Sequence, residues 1–300
     1  MRKLLILFLL VATTKLYAGS RELIQYVPEL SFSVIGADFD ALRDNAVFLS
    51  MQSKGQIWSY EDDSDIVQYF RLLNIDVKKD ITTFIVAKYL NSYGSAGKIH
   101  VLQLNRDLTG SLNAKSSTKY LGVPLFRIDP EQDRHAVMLN AKTVALGKLN
   151  EVKTALDLSL RKLANMTQNI QLRAMFEKLP AHASVWGIAA PLSRRKAASS
   201  NAEQSTNAML QAFQNYYFYG IPTKTHANSH FYGIAKDDNE AAVVTAFMIG
   251  TLTVAKFRAD DQLADMLDRV DIEHQGRNVH ISAVVTKEMV DAFYNGDFGF

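Results

Sequence analysis

Hydrophobic positions along this chain recur with two periods, every second residue where a strand is expected and every third or fourth where a helix is. Leu30–Ile35 is apolar and β-branched enough for a strand, and Phe39, Leu42, Ala46 and Leu49 then follow at helical spacing. Ser64 or Asp65 can cap a second helix through Ile66, Val67, Phe70 and Leu73, because a short oxygen-bearing side chain satisfies free N–H groups of the first turn. Ile81–Leu90 and Lys98–Leu104 flank the turn-rich stretch from Asn91 to Gly97, which predicts a hairpin. Tyr120–Ile128, His135–Asn140 and Thr143–Leu146 extend that sheet. Leu149–Leu163 closes it with an amphipathic helix through Val152, Leu156, Leu160 and Leu163.

The second half follows the same order. Ile170–Leu179 predicts a helix stopped by Pro180, and Ser184–Ala190 a strand. A polar loop from Ser193 to Ser205 leads to a helix over Thr206–Asn215 and to strands over Tyr217–Lys224 and His230–Lys236. Asn239–Phe257 predicts a long helix with Gly250 inside it, and Asp261–Leu267 a short one. Val270–His274 and Val279–Val285 form a hairpin around Gln275-Gly276-Arg277, and Lys287–Tyr294 closes the chain as a helix. Strand, helix, meander and closing helix thus occur twice. The pattern predicts an α+β fold of two similar units, residues 19–165 and 166–300, each an antiparallel sheet with helices packed on one face.

Two stretches, Ile170–Ala190 (IQLRAMFEKLPAHASVWGIAA) and Leu263–Val285 (LADMLDRVDIEHQGRNVHISAVV), resemble corresponding stretches in uncharacterised secreted bacterial proteins with two α+β repeats. The resemblance implies the two-repeat fold and brings no catalytic residues with it.

Residues 1–18 have a different character. Arg2 and Lys3 precede the unbroken apolar run Leu4–Ala12, and Leu16-Tyr17-Ala18 ends in a small residue, the three-part order of a secretory signal peptide. The run is far short of the roughly 20 residues of a spanning helix. Cleavage after Ala18 is therefore expected to release a secreted or periplasmic protein without a transmembrane span. Composition changes the picture at this point. The formal charge is +2, but Arg2, Lys3 and Lys15 all lie in the signal, so the remainder carries −1. That balance gives no footing for nucleic acid, which needs concentrated positive charge. The chain has no cysteine, which excludes disulfides, thiolate nucleophiles, thiolate zinc sites and iron–sulfur clusters.

The remaining chemistry is sparse. No serine sits on a glycine-flanked elbow, and Gly94–Lys98 is too short for a phosphate loop and precedes a strand rather than a helix. The acidic groups Glu61–Asp65 and Asp260–Asp261 precede predicted helices, where carboxylates cap. No pair among the histidines has metalloprotease spacing on a helix. No catalytic residue, metal or cofactor is predicted. The candidate binding residues are Tyr217, Tyr219, His226, His230 and Tyr232. If Ala227-Asn228-Ser229 is a hairpin loop, His226 and His230 face one another across the strands, while Tyr217, Tyr219 and Tyr232 offer apolar rings with hydroxyl tips. The sequence thus points to an exported, non-enzymatic protein that binds a protein partner or an apolar ligand. A hydrolase assembled only in three dimensions and a structural envelope component are the alternatives.

Overall fold

The computed structural model describes residues 19–53, 64–91, 93–129, 131–190, 212–259 and 261–295. The expected signal peptide and the loop Ser193–Ser205 lie outside them, as do residues 206–211 of the helix expected from Thr206. The elements in chain order are α1 (Gly19–Glu22), β1 (Ser31–Asp38), α2 (Phe39–Leu42), α3 (Ala46–Ser53), α4 (Ser64–Leu72), β2 (Ile81–Leu90), β3 (Ala96–Leu104) and α5 (Thr109–Asn113). Next come β4 (Ser117–Tyr120), β5 (Val123–Asp129), β6 (Arg134–Met138), β7 (Thr143–Gly147), α6 (Leu149–Ser159), α7 (Ile170–Phe176) and β8 (Val185–Ala189). The chain ends with β9 (Phe213–Pro222), β10 (His226–Ala235), α8 (Asp238–Arg258), α9 (Asp261–Leu267), β11 (Val270–Gln275), β12 (Asn278–Thr286) and α10 (Lys287–Asn295).

The chain divides into two compact α+β units. Described residues in 19–43 and 64–174 form the N-terminal unit, and those in 44–53 and 175–295 the C-terminal unit. The division falls after Ala174 rather than at 165, and the segment from Asp44 joins the later unit. One side chain accounts for the helix expected over 39–49 being broken. Asn45 Nδ2 donates to the carbonyls of Thr223 (2.6 Å) and His226 (3.4 Å), while its Oδ1 accepts from Phe48 N–H (2.9 Å) and so caps α3.

In the N-terminal unit the strands lie in the order β1-β2-β3-β7-β6-β5-β4, with every pair antiparallel. The strand expected over 120–128 is two strands. Leu121 (φ 51°) and Gly122 (φ 82°) form a tight turn with positive φ at both centres, the conformation that matches strand twist in a short hairpin.

In the C-terminal unit the order is β11-β12-β10-β9-β8, again antiparallel throughout. Alternation puts Ala227, Ser229, Phe231, Gly233 and Ala235 of β10 on a buried face. Helix α8 lies on that face, its Ala241, Val244 and Met248 clustered with Phe213, Phe218, Phe231, Val279 and Ile281. Two glycines make room for the rings. A Cβ on Gly233 would sit 2.3 Å from the Phe213 ring, and one on Gly187 2.3 Å from the Phe218 ring. Large side chains at those positions would lift the aromatics out from beneath α8.

Asp38 ends β1 and caps α2, its Oδ1 accepting from Asp40 N–H (3.1 Å) and Ala41 N–H (3.4 Å). It is only 2% exposed, and burial pushes its carboxyl up to about 6 against the opposing pull of those hydrogen bonds. Because the folded value lies above the unfolded one, the native state is favoured when the group is protonated. That contribution is complete below the unfolded value of 3.8 and is lost as pH rises through about 6. Asp38→Asn keeps the capping oxygen without the charge. It is expected to raise stability at pH 7 by on the order of 2 kcal/mol, with the advantage vanishing toward pH 4, as read from urea unfolding at the two pH values.

Candidate functional site

The strand register of the C-terminal unit assembles a row of rings on the sheet face opposite α8. Tyr217 and Tyr219 of β9 stand directly across from Tyr232 and His230 of β10, and Tyr232 across from His280 of β12. The rings stack face to face: Tyr217 on Tyr232 at 4.8 Å and 11°, Tyr232 on His280 at 4.3 Å and 10°, His230 on His280 at 5.5 Å and 8°. Trp186 of β8 lies opposite Tyr219 and is buried against Phe176. Four of the five residues singled out in the sequence therefore come together. Much of their π-surface is spent on one another, and Lys178 Nζ lies over the Tyr217 ring at 5.8 Å. Burial, then the Tyr232 hydroxyl, pushes Tyr217 up to about 12, and Tyr219 is raised by burial and by a hydrogen bond with Tyr232.

His226 does not join them. Ala227-Asn228-Ser229 is not a loop but continuous strand, so His226 and His230 are four residues apart on the same face of β10. The turn forms earlier because Thr223 closes it. Its N–H donates to the His226 carbonyl (2.8 Å), and its hydroxyl accepts from His226 N–H (3.1 Å). The Thr223 and Thr225 hydroxyls lie 3.0 and 3.2 Å from His226 Nδ1.

Two residues that are not among the candidate binding residues complete the row. His280 Nδ1 lies 3.0 Å from Glu273 Oε1, and His280 Nε2 lies 3.2 Å from His230 Nδ1. A carboxylate only accepts, so Glu273 fixes the proton of neutral His280 on Nδ1, leaves Nε2 as acceptor and makes His230 Nδ1 the donor. Protonating both imidazoles would set two donors against each other. Burial and then His280 hold His230 below its ordinary range. Register could have found these partners, since Tyr232 pairs with His280 and His280 with Glu273, but register is invisible until β12 is known to lie between β10 and β11. Among the described residues no group of three or more metal-binding side chains occurs, and no hydroxyl is hydrogen-bonded to the His230 or His280 imidazole.

The N-terminal unit has a cleft of about 370 Å³ lined by Tyr69, Lys88, Lys98, His100, Arg134 and Glu151, among others. Three of these side chains serve the fold. Glu151 accepts from the backbone N–H groups of Lys98 (2.9 Å) and Lys148 (2.6 Å), the Tyr69 hydroxyl donates to the Gly147 carbonyl (2.8 Å), and Arg134 pairs with Asp129 (2.9 Å).

Helix α8 is the feature that packing among the described residues does not explain. Ala241 to Ala255 contains no charged residue, and charges gather only at the ends, Asp238 and Glu240 at the start, Lys256 and Arg258 at the finish. Its inner side is buried. Its outer side is also apolar yet open to solvent: Val243 is 68% exposed, Phe247 60%, Val254 47% and Phe257 92%. Single exposed apolar residues are ordinary, but a continuous stripe marks a surface that something covers. Gly250 lies in the stripe, where a Cβ would meet nothing within 4 Å. A mid-helix glycine costs about 1 kcal/mol relative to alanine. Among the described residues α8 is the one helix long and apolar enough to cross a membrane by length and composition.

No protein-family model matches the sequence, and no curated protein matches it. Among solved structures the chain is similar to TP0453. Crystal form III of that protein superposes with a TM-score of 0.50 at 10% identity, over 91% of this chain and 97% of that one. Crystal form I gives 0.47 at 10% identity, over 91% and 96%. The likeness is one of fold alone.

With Tyr217 only 8% exposed and stacked on Tyr232, the row behaves as packing. Tyr217→Ala is expected to destabilise the protein by about 2 to 4 kcal/mol, seen as a lower denaturant midpoint. An unchanged midpoint would show that the ring is a surface anchor instead.

Proposed function

We propose that this is an exported, non-enzymatic interaction protein that docks through the outer stripe of α8. The observation that carries the reading is a helix apolar on all sides but covered on only one. Such a helix normally lies within a protein core or a membrane. Here Ala241, Val244 and Met248 face the sheet, while Val243, Phe247, Val254 and Phe257 face outward. The hydrolase alternative has less behind it. Among the described residues the Glu273–His280–His230 relay has no hydrogen-bonded nucleophile, and Glu151, Tyr69 and Arg134 of the N-terminal cleft are engaged in capping and pairing. Export rests on residues 1–18, whose charged start, apolar run and Ala18 suit a signal peptidase.

We also read the two units as related modules. In support, β1-β2-β3-β7-β6 and β8-β9-β10-β12-β11 share one order of strands, in which the last strand of a late hairpin inserts beside the third. A helix, α6 or α10, follows that strand directly in each. The extra strands β4 and β5 are then an insertion in the N-terminal unit.

Replacing Phe247 and Phe257 by serine removes the two largest outward rings without touching the core. Uptake of an environment-sensitive apolar dye by highly diluted protein is expected to fall several-fold, with stability unchanged to within about 0.5 kcal/mol. Undiminished uptake would dismiss α8 as the docking face. Sequencing the N-terminus of protein recovered outside the cytoplasm is expected to begin at Gly19; a start at Met1 would contradict export through a cleaved signal.

A further inference from the structure

We propose that the occupant of the α8 stripe is a second copy of this chain, the two helices lying antiparallel across a two-fold axis that passes beside Gly250. This rests on the reading of the stripe as a docking face and adds what docks there. The spacing of the outward positions points to a helix rather than to a flat surface. Val243, Phe247, Gly250, Val254 and Phe257 follow one another at intervals of four, three, four and three residues, the repeat by which side chains of one helix seat between those of another. A flat apolar surface would set no such interval.

The stripe is also complementary to itself. Gly250 is its midpoint, with Val243 and Phe257 equidistant from it, so a two-fold axis there sets Phe257 of one copy against the Val243 position of the other. The exposed glycine then has a purpose that nothing among the described residues supplies: with no Cβ, it lets two helix backbones approach at their crossing point. The charges fit the same arrangement. Glu240 and Arg258 flank the stripe at opposite ends, and neither has an ion-pair partner among the described residues. An antiparallel pair brings Glu240 of each copy within reach of Arg258 of the other and opposes the helix dipoles favourably. A parallel pair would place like charge on like charge. One helix pair is a small interface, so association on the order of 10 μM is expected.

The absence of cysteine makes the test direct. With the chain as its expression host processes it, sedimentation across a concentration series is expected to show a monomer–dimer equilibrium. Gly250→Glu, which adds a better helix former in open space, is expected to weaken it by roughly a hundredfold by opposing two buried charges. Arg258→Glu alone should weaken it, and Glu240→Arg with Arg258→Glu should restore it. Under mild oxidation Gly250→Cys should link to itself, and Val243→Cys should link to Phe257→Cys in a mixture but not to itself. Self-linking of Val243→Cys would overturn the antiparallel arrangement. A chain that stays monomeric at about ten times the expected constant while its Phe247 and Phe257 rings still take up dye would overturn the dimer and leave the docking face standing. Loss of both would remove the docking face as well. Monomer sedimenting with phosphatidylcholine–phosphatidylglycerol vesicles, abolished by the two serine substitutions, would also overturn the dimer and assign the stripe to lipid.

Discussion

The C-terminal unit depends on three phenylalanine rings pressed between a sheet and one helix. Phe213, Phe218 and Phe231 lie beneath Ala241, Val244 and Met248 of α8, and Gly187 and Gly233 leave the sheet thin enough there for two of the rings to lie close against it. Burial of this layer supplies the main driving force for seating α8, at about 25 cal/mol for each Å² of apolar surface removed from water. Once the helix side of the sheet is filled with hydrocarbon, alternation sends every neighbouring residue of β9, β10 and β12 the other way. The tyrosine and histidine row is thus the reverse face of the same constraint.

That row illustrates how geometry decides the use of an aromatic residue. Tyrosines make good contact surfaces when their faces are free, because a flat ring then covers a flat partner. In β9 and β10 the side chains rise side by side from adjacent strands and stack on one another, and the Lys178 ammonium lies over the Tyr217 ring, 5.8 Å from its centre. The imidazoles extend the stack and join a hydrogen-bonded chain ending on Glu273. A cross-strand ladder of this kind ties three strands together through their side chains as well as their backbones.

Much of the architecture was legible in the sequence because period is a local property. The long helix around Gly250, the hairpin on either side of Gly276 and the final helix are placed to within a few residues by spacing alone. Turns were harder. Leu121 adopts a positive φ that its chemistry does not advertise, and the β9–β10 turn is set by a threonine hydroxyl rather than by glycine or proline. That second error moved the expected loop onto Ala227–Ser229 and paired His226 with the wrong neighbour. The partnership of His230 with His280 required knowing that β12 returns beside β10, which no local pattern encodes. The double-sided apolarity of α8 was written in the chain, as the uncharged run from Ala241 to Ala255. Which side the sheet would take was decided only by packing.

If the chain is exported, that uncharged run also bears on how it would cross a bilayer during biogenesis. A translocation channel samples each passing segment against the lipid, and a stretch of this length without charges is near the point at which it partitions sideways and halts transport. Thr245, Thr251, Thr253 and Gly250 dilute the valines and phenylalanines of α8. If the chain is exported as proposed, those four residues would favour passage over insertion, and the composition of α8 would answer to transit as well as to the folded state.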